Sequence, residues 1–254
     1  MAFNKNINVC VMNIRAQTGL NYAKQRQIED FVRSNRIDIL HLQESHVEED
    51  TFLDCNYISA NYDIIANNSL NKFGTASLVK CDLEVKNVNM DQGGRVIIFD
   101  VGEHFTCGNF YLPCGSDRIS RGKRENYCSE IIPNLLVNHK GIGICGGDFN
   151  CITSKSDATR NADAKMSPSL GSLISTFSWS DSFRHLHPSE KNFLKILYNG
   201  EARRRCHKNR PALPLGQHLC PGCLLSLSCF LRSHGTYRNL LASLSNGEDF
   251  ESEV

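Results

Sequence analysis

The chain has 254 residues and a formal net charge of +1 at pH 7, so it is long enough for one large domain or for a domain followed by a tail. The near-zero charge excludes a generally basic surface, and a nucleic-acid partner would have to bind a local patch. No apolar run reaches the roughly 18 to 20 residues that span a bilayer, and no signal-peptide core is present, so we expect no membrane contact and a nuclear or cytoplasmic location. In that compartment the twelve scattered cysteines are expected to be free thiols rather than a disulfide framework.

The first part of the chain alternates between predicted strands and helices. An apolar strand is predicted over residues 7–13, a helix from Asn21 as its N-cap to about Asn35, and a second strand over residues 37–44. Because a helix joins the two strands, we expect them to be parallel neighbours. Shorter apolar runs follow with the spacing of hairpins, over residues 62–66, 74–81, 95–101 and 105–112.

The next predicted elements are longer. A helix is predicted over residues 121–138, with a kink at Pro133 and with Gly141 near its C-cap. An apolar strand is predicted over residues 142–148, and a serine-rich helix over residues 167–179.

The character of the sequence changes near residue 194. A basic cluster over residues 203–210, several prolines, Cys220 and Cys223, and an acidic end follow one another without clean strand alternation or strong helix caps. We therefore predict a globular domain over residues 1–193. Residues 194–254 are predicted to be a divergent, poorly structured tail that does not continue the same sheet.

The predicted strand over residues 142–148 ends unusually, in Gly-Gly-Asp-Phe-Asn. Glycine lets the backbone approach another chain or a ligand closely. Asp148 and Asn150 are two positions apart, so on extended backbone their side chains would lie on the same face. In such a pair, one side chain can hold a metal or orient a water, and the other can bind a phosphate oxygen. The alternative interpretation is a simple turn, because Asp and Asn are both common in turns.

Polar side chains also close the other predicted strands. Asn13 ends the first strand, Glu44 ends the second, and Tyr111 lies near the end of the run over residues 105–112. Sites in open sheets gather at the carboxyl ends of strands, so these residues and Asp148 predict one cleft. Glutamate oxygens suit Mg²⁺, and carboxylates with amide and phenol donors are typical of a phosphodiesterase site. Taken singly, Glu44 is better explained as a solvated loop carboxylate and Tyr111 as a packed aromatic, but the ordered set of residues favours a site.

In this order the residues resemble those of the endonuclease/exonuclease/phosphatase superfamily, and most of all the apurinic-type endonuclease domains of non-LTR retrotransposons. The resemblance covers about residues 7–193. The motifs that carry it are Val-Met-Asn13-Ile-Arg, Leu-Gln-Glu44, Phe-Tyr111-Leu-Pro, Gly-Gly-Asp148-Phe-Asn150 and Asp181-Ser-Phe-Arg184 with a following proline.

The resemblance implies an α/β fold, a four-layer α/β sandwich in which two packed mixed sheets carry helices on their outer faces, incomplete at the C-terminus. It implies that Glu44 binds Mg²⁺, with Mn²⁺ as a substitute, and that Asp148 orients or deprotonates the attacking water. Asn13 and Asn150 would position the phosphate and Asp148, and Tyr111 would donate to the phosphate or the leaving group. Ser116 and Arg184 complete the residues expected to bind the substrate. The implied reaction is hydrolysis of a DNA phosphodiester.

The sequence departs from the family after residue 193, because neither the Arg-Ile-Asp-type strand nor the final Ser-Asp-His strand occurs. His234 is only a superficial candidate for the missing histidine. A frameshift, an aberrant splice or a decayed element would explain this departure. Two alternatives therefore stand beside an active nuclease: an inactive remnant that at most binds DNA or a partner, and a phosphoesterase acting on a small phosphoester.

The tail has two interpretations of its own. Cys206, His207, His218, Cys220, Cys223 and Cys229 offer soft ligands for zinc, although a lone Cys-x-x-Cys is a weak signal. The basic cluster over residues 203–210 would contact phosphates or form a solvated basic run.

Overall fold

The computed structural model describes residues 7–16, 20–48, 51–68, 74–155, 162–181 and the backbone of 227–232. The strands of the first sheet are β1 (Val9–Asn13), β2 (Ile39–Gln43), β3 (Tyr62–Asn68) and β4 (Gly74–Lys80). Their order is β1-β2-β4-β3, with β1 and β2 parallel and the other pairs antiparallel. The predicted parallel pairing of the first two strands is confirmed.

Within the described residues the second sheet has six strands, in the order β5-β6-β7-β8-β10-β9. Its strands are β5 (Val85–Met90), β6 (Val96–Val101), β7 (Phe105–Tyr111), β8 (Ile142–Asp148), β9 (Trp179–Asp181) and β10 (Leu227–Arg232). Among these described strands β7 and β8 pair in parallel and the other pairs are antiparallel, so this sheet is also mixed.

Helices cover the outer faces of both sheets. They are α1 (Tyr22–Ser34), α2 (Asn56–Asn61), α3 (Arg118–Asn126), α4 (Ile132–Leu136), α5 (Ala162–Lys165) and α6 (Pro168–Thr176). Helix α1 begins as predicted, because the Asn21 side chain accepts a hydrogen bond from the Lys24 amide at 3.0 Å. Its buried residues Ile28 and Val32 pack on the first sheet. None of the helices that the structure describes is long and apolar enough to cross a membrane.

Three apolar clusters separate four layers. One cluster, with Ile28 and Leu40, lies between α1 and the first sheet, and a second, with Phe110 and Ile132, lies between the second sheet and its helices. The third fills the space between the sheets and includes Ile39 and Phe99. Because strand residues alternate between faces, β2 contributes Leu40 to one cluster and Ile39 to another. The predicted four-layer α/β sandwich with two packed mixed sheets is confirmed.

The position of β10 differs from our expectation that no residue after 193 continues the sheet. The backbone of β10 lies between β8 and β9 and pairs antiparallel with both. A paired neighbour satisfies the peptide groups along the edge of β8, which is a tertiary requirement that local sequence does not reveal. The boundary of the domain at residue 193 stays a prediction.

The helix predicted over residues 121–138 differs in detail. It consists of α3, a π-helical turn over Tyr127–Ile131, and α4, which ends at Leu136. Pro133 closely follows the π-helical turn in a helix that continues without a break, and a proline inside a helix is a common cause of such a local irregularity. Gly141 is not the C-cap: it lies just before β8, where an added Cβ would be 2.8 Å from the Phe105 carbonyl carbon. Glycine is needed there for close approach of two backbones.

The serine-rich helix is also shorter than predicted. Ser167 caps α6, its hydroxyl accepting from the Leu170 amide at 3.1 Å, but the helix ends at Thr176 and Trp179 begins β9. Neither α2 nor β5 was predicted. Eight cysteines are described with their side chains, and all eight are free thiols.

Candidate active site

The polar strand ends meet because both parallel strand pairs end at the same edge of the sandwich. In the first sheet Asn13 lies opposite Gln43, the residue before Glu44. In the second sheet Tyr111 lies opposite Asp148. The two sheets pack face to face, and side chains at the carboxyl ends of β1, β2, β7 and β8 form one hydrogen-bonded group, which we call the cleft.

Asn13 lies at the centre of this cleft and is almost fully buried, with 2% of its surface exposed. Its side-chain amide donates to Glu44 Oε1 at 2.9 Å and to Asp148 Oδ2 at 3.1 Å. Its Oδ1 accepts from the Arg15 amide at 3.1 Å, which orients the carboxamide. One neutral side chain therefore holds two carboxylates from different sheets.

Glu44 follows β2 directly and is half-buried. Its backbone has a positive φ of 51°, so the chain turns sharply as it leaves the strand. The Glu44 carbonyl accepts from the Ala16 amide at 2.9 Å, which ties the turn to the segment after β1. Glu44 Oε1 accepts from both Asn13 and Tyr111, and within the described residues Oε2 has no hydrogen bond.

Tyr111 is buried, and its hydroxyl donates to Glu44 Oε1 at 3.1 Å. Burial and the nearby Glu44 charge raise the pKa of the Tyr111 phenol well above its ordinary value of 10. The hydroxyl therefore stays protonated at neutral pH and serves as a donor. The Arg95 guanidinium stacks 5.0 Å from the centre of the tyrosine ring and donates to the Tyr111 carbonyl at 3.1 Å.

Asp148 and Asn150 do not share an extended face. Asn150 has a φ of 51°, and its amide donates to Asp148 Oδ1 at 3.1 Å, so the chain turns after the strand. The Asn150 side chain donates to the Leu112 carbonyl at 2.9 Å and joins the turn to the segment after β7. The expectation of a common face is therefore wrong, because the chain leaves β8 in an Asx turn. The turn still presents the Asp148 carboxylate to Asn13.

Gly147 explains part of the Gly-Gly-Asp-Phe-Asn motif. A Cβ at this position would lie 2.0 Å from the carbonyl oxygen of Phe110 in the adjacent strand. The close approach of β7 to β8 at their carboxyl ends thus requires glycine. It brings Tyr111 and Asp148 into register at the cleft.

The remaining predicted substrate residues are less well placed. Ser116 is exposed in the loop between β7 and α3. Arg184 lies outside the described residues, as do His234, the cysteines of the predicted zinc set except for the backbone of Cys229, and the basic cluster over residues 203–210.

Two arginines around Tyr111 were missed by the sequence analysis. Arg95 was assigned only to a strand, and no local signal pointed to its contact with the tyrosine ring. Arg124 is buried in α3 and donates to the carbonyls of Pro113 at 2.8 Å and Gly115 at 2.7 Å. These bonds shape the loop after Tyr111. The sequence offered one signal for Arg124, namely a basic residue on the inner face of a predicted helix.

Comparison with solved structures identifies the fold. An apurinic endonuclease from Archaeoglobus fulgidus superimposes with a TM-score of 0.59 at 16% identity, over 73% of this chain and 76% of that one. A 3'-5' exonuclease from Neisseria meningitidis gives 0.56 at 20% identity, over 73% and 76%. The chain has the endonuclease/exonuclease/phosphatase fold. No protein-family profile and no curated protein matches the sequence.

A further structure with the endonuclease/exonuclease/phosphatase fold is a Neisseria 3' phosphatase bound to a product DNA hairpin. It superimposes with a TM-score of 0.56 at 19% identity, over 72% of this chain and 75% of that one. At these identities the similarity concerns the arrangement of the sheets and helices. The chemistry of this chain must be argued from its own cleft.

The donor set of the cleft fits a hard divalent cation. Glu44 and Asp148 offer carboxylate oxygens that are joined through the side-chain amide of Asn13. Mg²⁺ prefers one or two carboxylates, with water and substrate phosphate as further ligands. Within the described residues no group of three or more His, Cys, Asp or Glu side chains is arranged to hold a metal.

Proposed function

We propose that the chain is a Mg²⁺-dependent phosphodiesterase that hydrolyses DNA, of the endonuclease type found in non-LTR retrotransposons. The observation that carries the proposal is the Asn13 amide, which holds Glu44 and Asp148 together at 2.9 and 3.1 Å. A structural sheet gains little from two carboxylates gathered in one buried cleft, since their mutual repulsion destabilises the fold. Their proximity therefore favours chemistry on a phosphate.

Each residue of the cleft has a role that follows from its contacts. Asp148 has one oxygen bonded to Asn13 and the other to the Asn150 amide, so its carboxylate is held in one orientation and can accept a proton from an attacking water. Tyr111 carries a protonated hydroxyl that can turn from Glu44 to a phosphate oxygen or to the leaving group. The Asn13 amide fixes the position of the Glu44 and Asp148 carboxylates relative to each other.

Glu44 would hold the Mg²⁺ through Oε2, the oxygen that carries no hydrogen bond in the described structure. Asp148 would lie nearby. Bound there, the ion would supply Lewis-acid stabilisation of the charge that develops on the phosphate. Mn²⁺ takes the same hard oxygen ligands and is expected to substitute.

DNA is proposed as the substrate on two grounds. The first is the sequence resemblance around Asn13, Glu44, Tyr111 and Asp148 to the retrotransposon endonucleases. The second is the fold, since the named structures that share it include an apurinic endonuclease and a 3' phosphatase bound to a DNA hairpin. Nicking of this kind would expose a 3' hydroxyl from which a reverse transcriptase can start.

The test is nicking of supercoiled plasmid by the full chain in Mg²⁺, with Glu44→Ala and Asp148→Ala beside the wild type. Glu103→Ala is the matched control, since Glu103 is an exposed carboxylate in the turn between β6 and β7, away from the cleft. We expect nicking by the wild type and the control, loss in both cleft variants, and loss on chelation that is restored by added Mg²⁺. Equal nicking by all four proteins would contradict the proposal.

The inactive remnant is the second candidate, and the absence of a Ser-Asp-His motif from the sequence favours it. It predicts a folded chain that nicks no plasmid above the level of the Asp148→Ala variant. Release of inorganic phosphate from an inositol phosphate, without plasmid nicking, would instead indicate a phosphoesterase that acts on small phosphoesters.

A further inference from the structure

A buried hydrogen bond between two side-chain amides joins the sheets beneath the cleft. Gln43 Nε2 donates to Asn109 Oδ1 at 2.7 Å, and neither residue has any exposed surface. Gln43 is the last residue of β2 in the first sheet, and Asn109 lies in β7 of the second. We call this pair the amide bridge.

Asn109 extends the bridge to a second strand of the first sheet. Its Nδ2 donates to the Ala76 carbonyl at 2.9 Å and to the Leu42 carbonyl at 3.2 Å, with Ser77 Oγ at 3.4 Å. A single side chain of β7 thus bonds to both β2 and β4. Sheets in a sandwich otherwise pack through apolar contacts, which are not directional and permit small relative shifts. Hydrogen bonds at these distances fix the position of one sheet on the other.

The bridge is more than a way of satisfying buried polar groups. Gln43 Oε1 is buried, and among the described residues it has no hydrogen-bond partner. An unsatisfied buried acceptor destabilises a fold, and an apolar pair of the same size would avoid that loss. The polar pair is therefore poorly explained by stability alone.

The location of the bridge suggests what it does. Gln43 immediately precedes Glu44, and Asn109 lies two residues before Tyr111 on the same face of β7. The bridge therefore joins the strand end that carries Glu44 to the strand end that carries Tyr111. At these strand ends Tyr111 and Glu44 meet in a hydrogen bond of 3.1 Å.

We propose that Gln43 and Asn109 are positioning residues for the phosphodiester reaction, setting the spacing and register of the two sheets at the cleft. This inference rests on the proposed function. Neither side chain needs to touch the substrate, because each acts through the residue of the cleft that it places. A displacement of about 1 Å in such a site is enough to slow a reaction by about a hundredfold.

The first test compares the full wild-type chain with the double variant Gln43→Met/Asn109→Leu. The two replacements keep the approximate size of the side chains but remove both amides, so packing is largely conserved. We expect the kcat for plasmid nicking to fall about 10- to 100-fold, with KM for DNA changed less than about threefold. The midpoint of urea unfolding is expected to stay within about 0.5 M of the wild type.

Two further variants separate positioning from stability. The exchanged pair Gln43→Asn/Asn109→Gln keeps both amides and the total side-chain length, and we expect it to recover part of the lost kcat. Asn89→Leu is the control, since Asn89 donates to the Leu135 carbonyl and to the His139 ring away from the cleft. It should lower the unfolding midpoint without changing kcat.

Hydrogen exchange measured by mass spectrometry supplies a readout that does not depend on activity. In the double variant we expect faster exchange of the backbone amides over residues 44–47 and of Tyr111 and Leu112, with exchange in α1 unchanged. An unchanged kcat, a kcat that falls only in proportion to the unfolding midpoint, or unchanged exchange at these residues would overturn the inference. If the double variant does not fold, Gln43→Met alone is judged by the same criteria.

The outcomes also separate this inference from the proposed function. A folded wild type that nicks no DNA would refute the proposed function. The exchange comparison would then still decide whether the amide bridge holds the two strand ends in place.

Discussion

Replacing Asn13 by leucine tests the central contact of the cleft. Leucine is close to asparagine in size and branching, so Asn13→Leu removes the amide with little change in packing. The substitution deletes the donor that Glu44 and Asp148 share at 2.9 and 3.1 Å. The two carboxylates would then face each other without a hydrogen bond between them.

The expected loss of stability follows from these two bonds. Hydrogen bonds to charged groups contribute about 1.5 to 3 kcal/mol each. Glu44 is half-buried and water can replace part of its lost bond, so we use the lower value for both contacts. Asn13→Leu should therefore lower the free energy of unfolding by about 3 kcal/mol. With a urea m-value of about 3 kcal/mol/M for a chain of this size, the midpoint should fall by about 1 M.

The assay is equilibrium unfolding in urea followed by tryptophan fluorescence. The chain has a single tryptophan, Trp179, and it is buried in the second sheet, so its emission reports on the packed core. The control is Asn61→Leu, because the Asn61 side chain is exposed and donates only to the Tyr57 carbonyl at 2.8 Å. The control should stay within about 0.5 kcal/mol of the wild type.

A loss for Asn13→Leu no larger than that of the Asn61 control would refute the reasoning. It would mean that water serves the two carboxylates as well as the buried amide does. A changed m-value would instead indicate an altered unfolded or native ensemble, and the two midpoints could not be compared directly.

The other predictions concern the hydroxyl of Tyr111, the buried ring of His41 and two glycines. Tyr111→Phe removes the protonated hydroxyl and should lower the kcat of plasmid nicking about a hundredfold while the chain remains folded. Burial lowers the pKa of His41 from 6.5 to about 3, so the folded state keeps the neutral ring. The titration of His41 should leave the free energy of unfolding unchanged above pH 6.5. Below pH 6.5 it should lower that free energy by up to about 1.4 kcal/mol for each pH unit, toward pH 3. Gly147→Ala places a Cβ 2.0 Å from a neighbouring backbone oxygen and should destabilise by more than about 2 kcal/mol, whereas Gly122→Ala, with nothing within 4 Å, should stabilise by about 0.5 to 1 kcal/mol.

Each of these predictions has a result that contradicts it. Full nicking by Tyr111→Phe would remove the hydroxyl from the mechanism. For the histidine, the pH dependence of urea unfolding is compared between the wild type and His41→Leu. Identical curves from about pH 7 to pH 5 would show that the ring of His41 does not stay neutral on folding. Equal unfolding midpoints for Gly147→Ala and Gly122→Ala would show that β7 and β8 can separate without cost.

Much of the fold could be predicted from local patterns. Short apolar runs located β1, β2, β7 and β8 to within one or two residues, and an asparagine cap located the start of α1. These signals are local, because strand alternation and capping depend only on residues a few positions apart. The short strand β5 and helix α2 carry weaker patterns, since β5 is largely exposed and α2 has no side-chain cap. The backbone pairing of β10 with β8 was not predicted either, because it meets a tertiary requirement that local sequence does not reveal.

The members of the candidate site were predictable, but their contacts were not. Asn13, Glu44, Tyr111 and Asp148 were each marked by a polar residue at the end of an apolar strand, and parallel strands end at a common edge. Asn150 does not lie on extended backbone as expected, because a turn with positive φ follows β8. Arg95 carried no local signal of its position over a tyrosine ring.

The sequence by itself therefore determined most of the strands and which polar side chains stand at the ends of β1, β2, β7 and β8. Only the tertiary structure decided that the amide of Asn13 bonds to Asp148, 135 residues away, and that Gln43 meets Asn109, 66 residues away. Residues so far apart in sequence have no periodic relation to each other. They meet because two sheets pack face to face in one register, and that register is set by the whole of the apolar core between them.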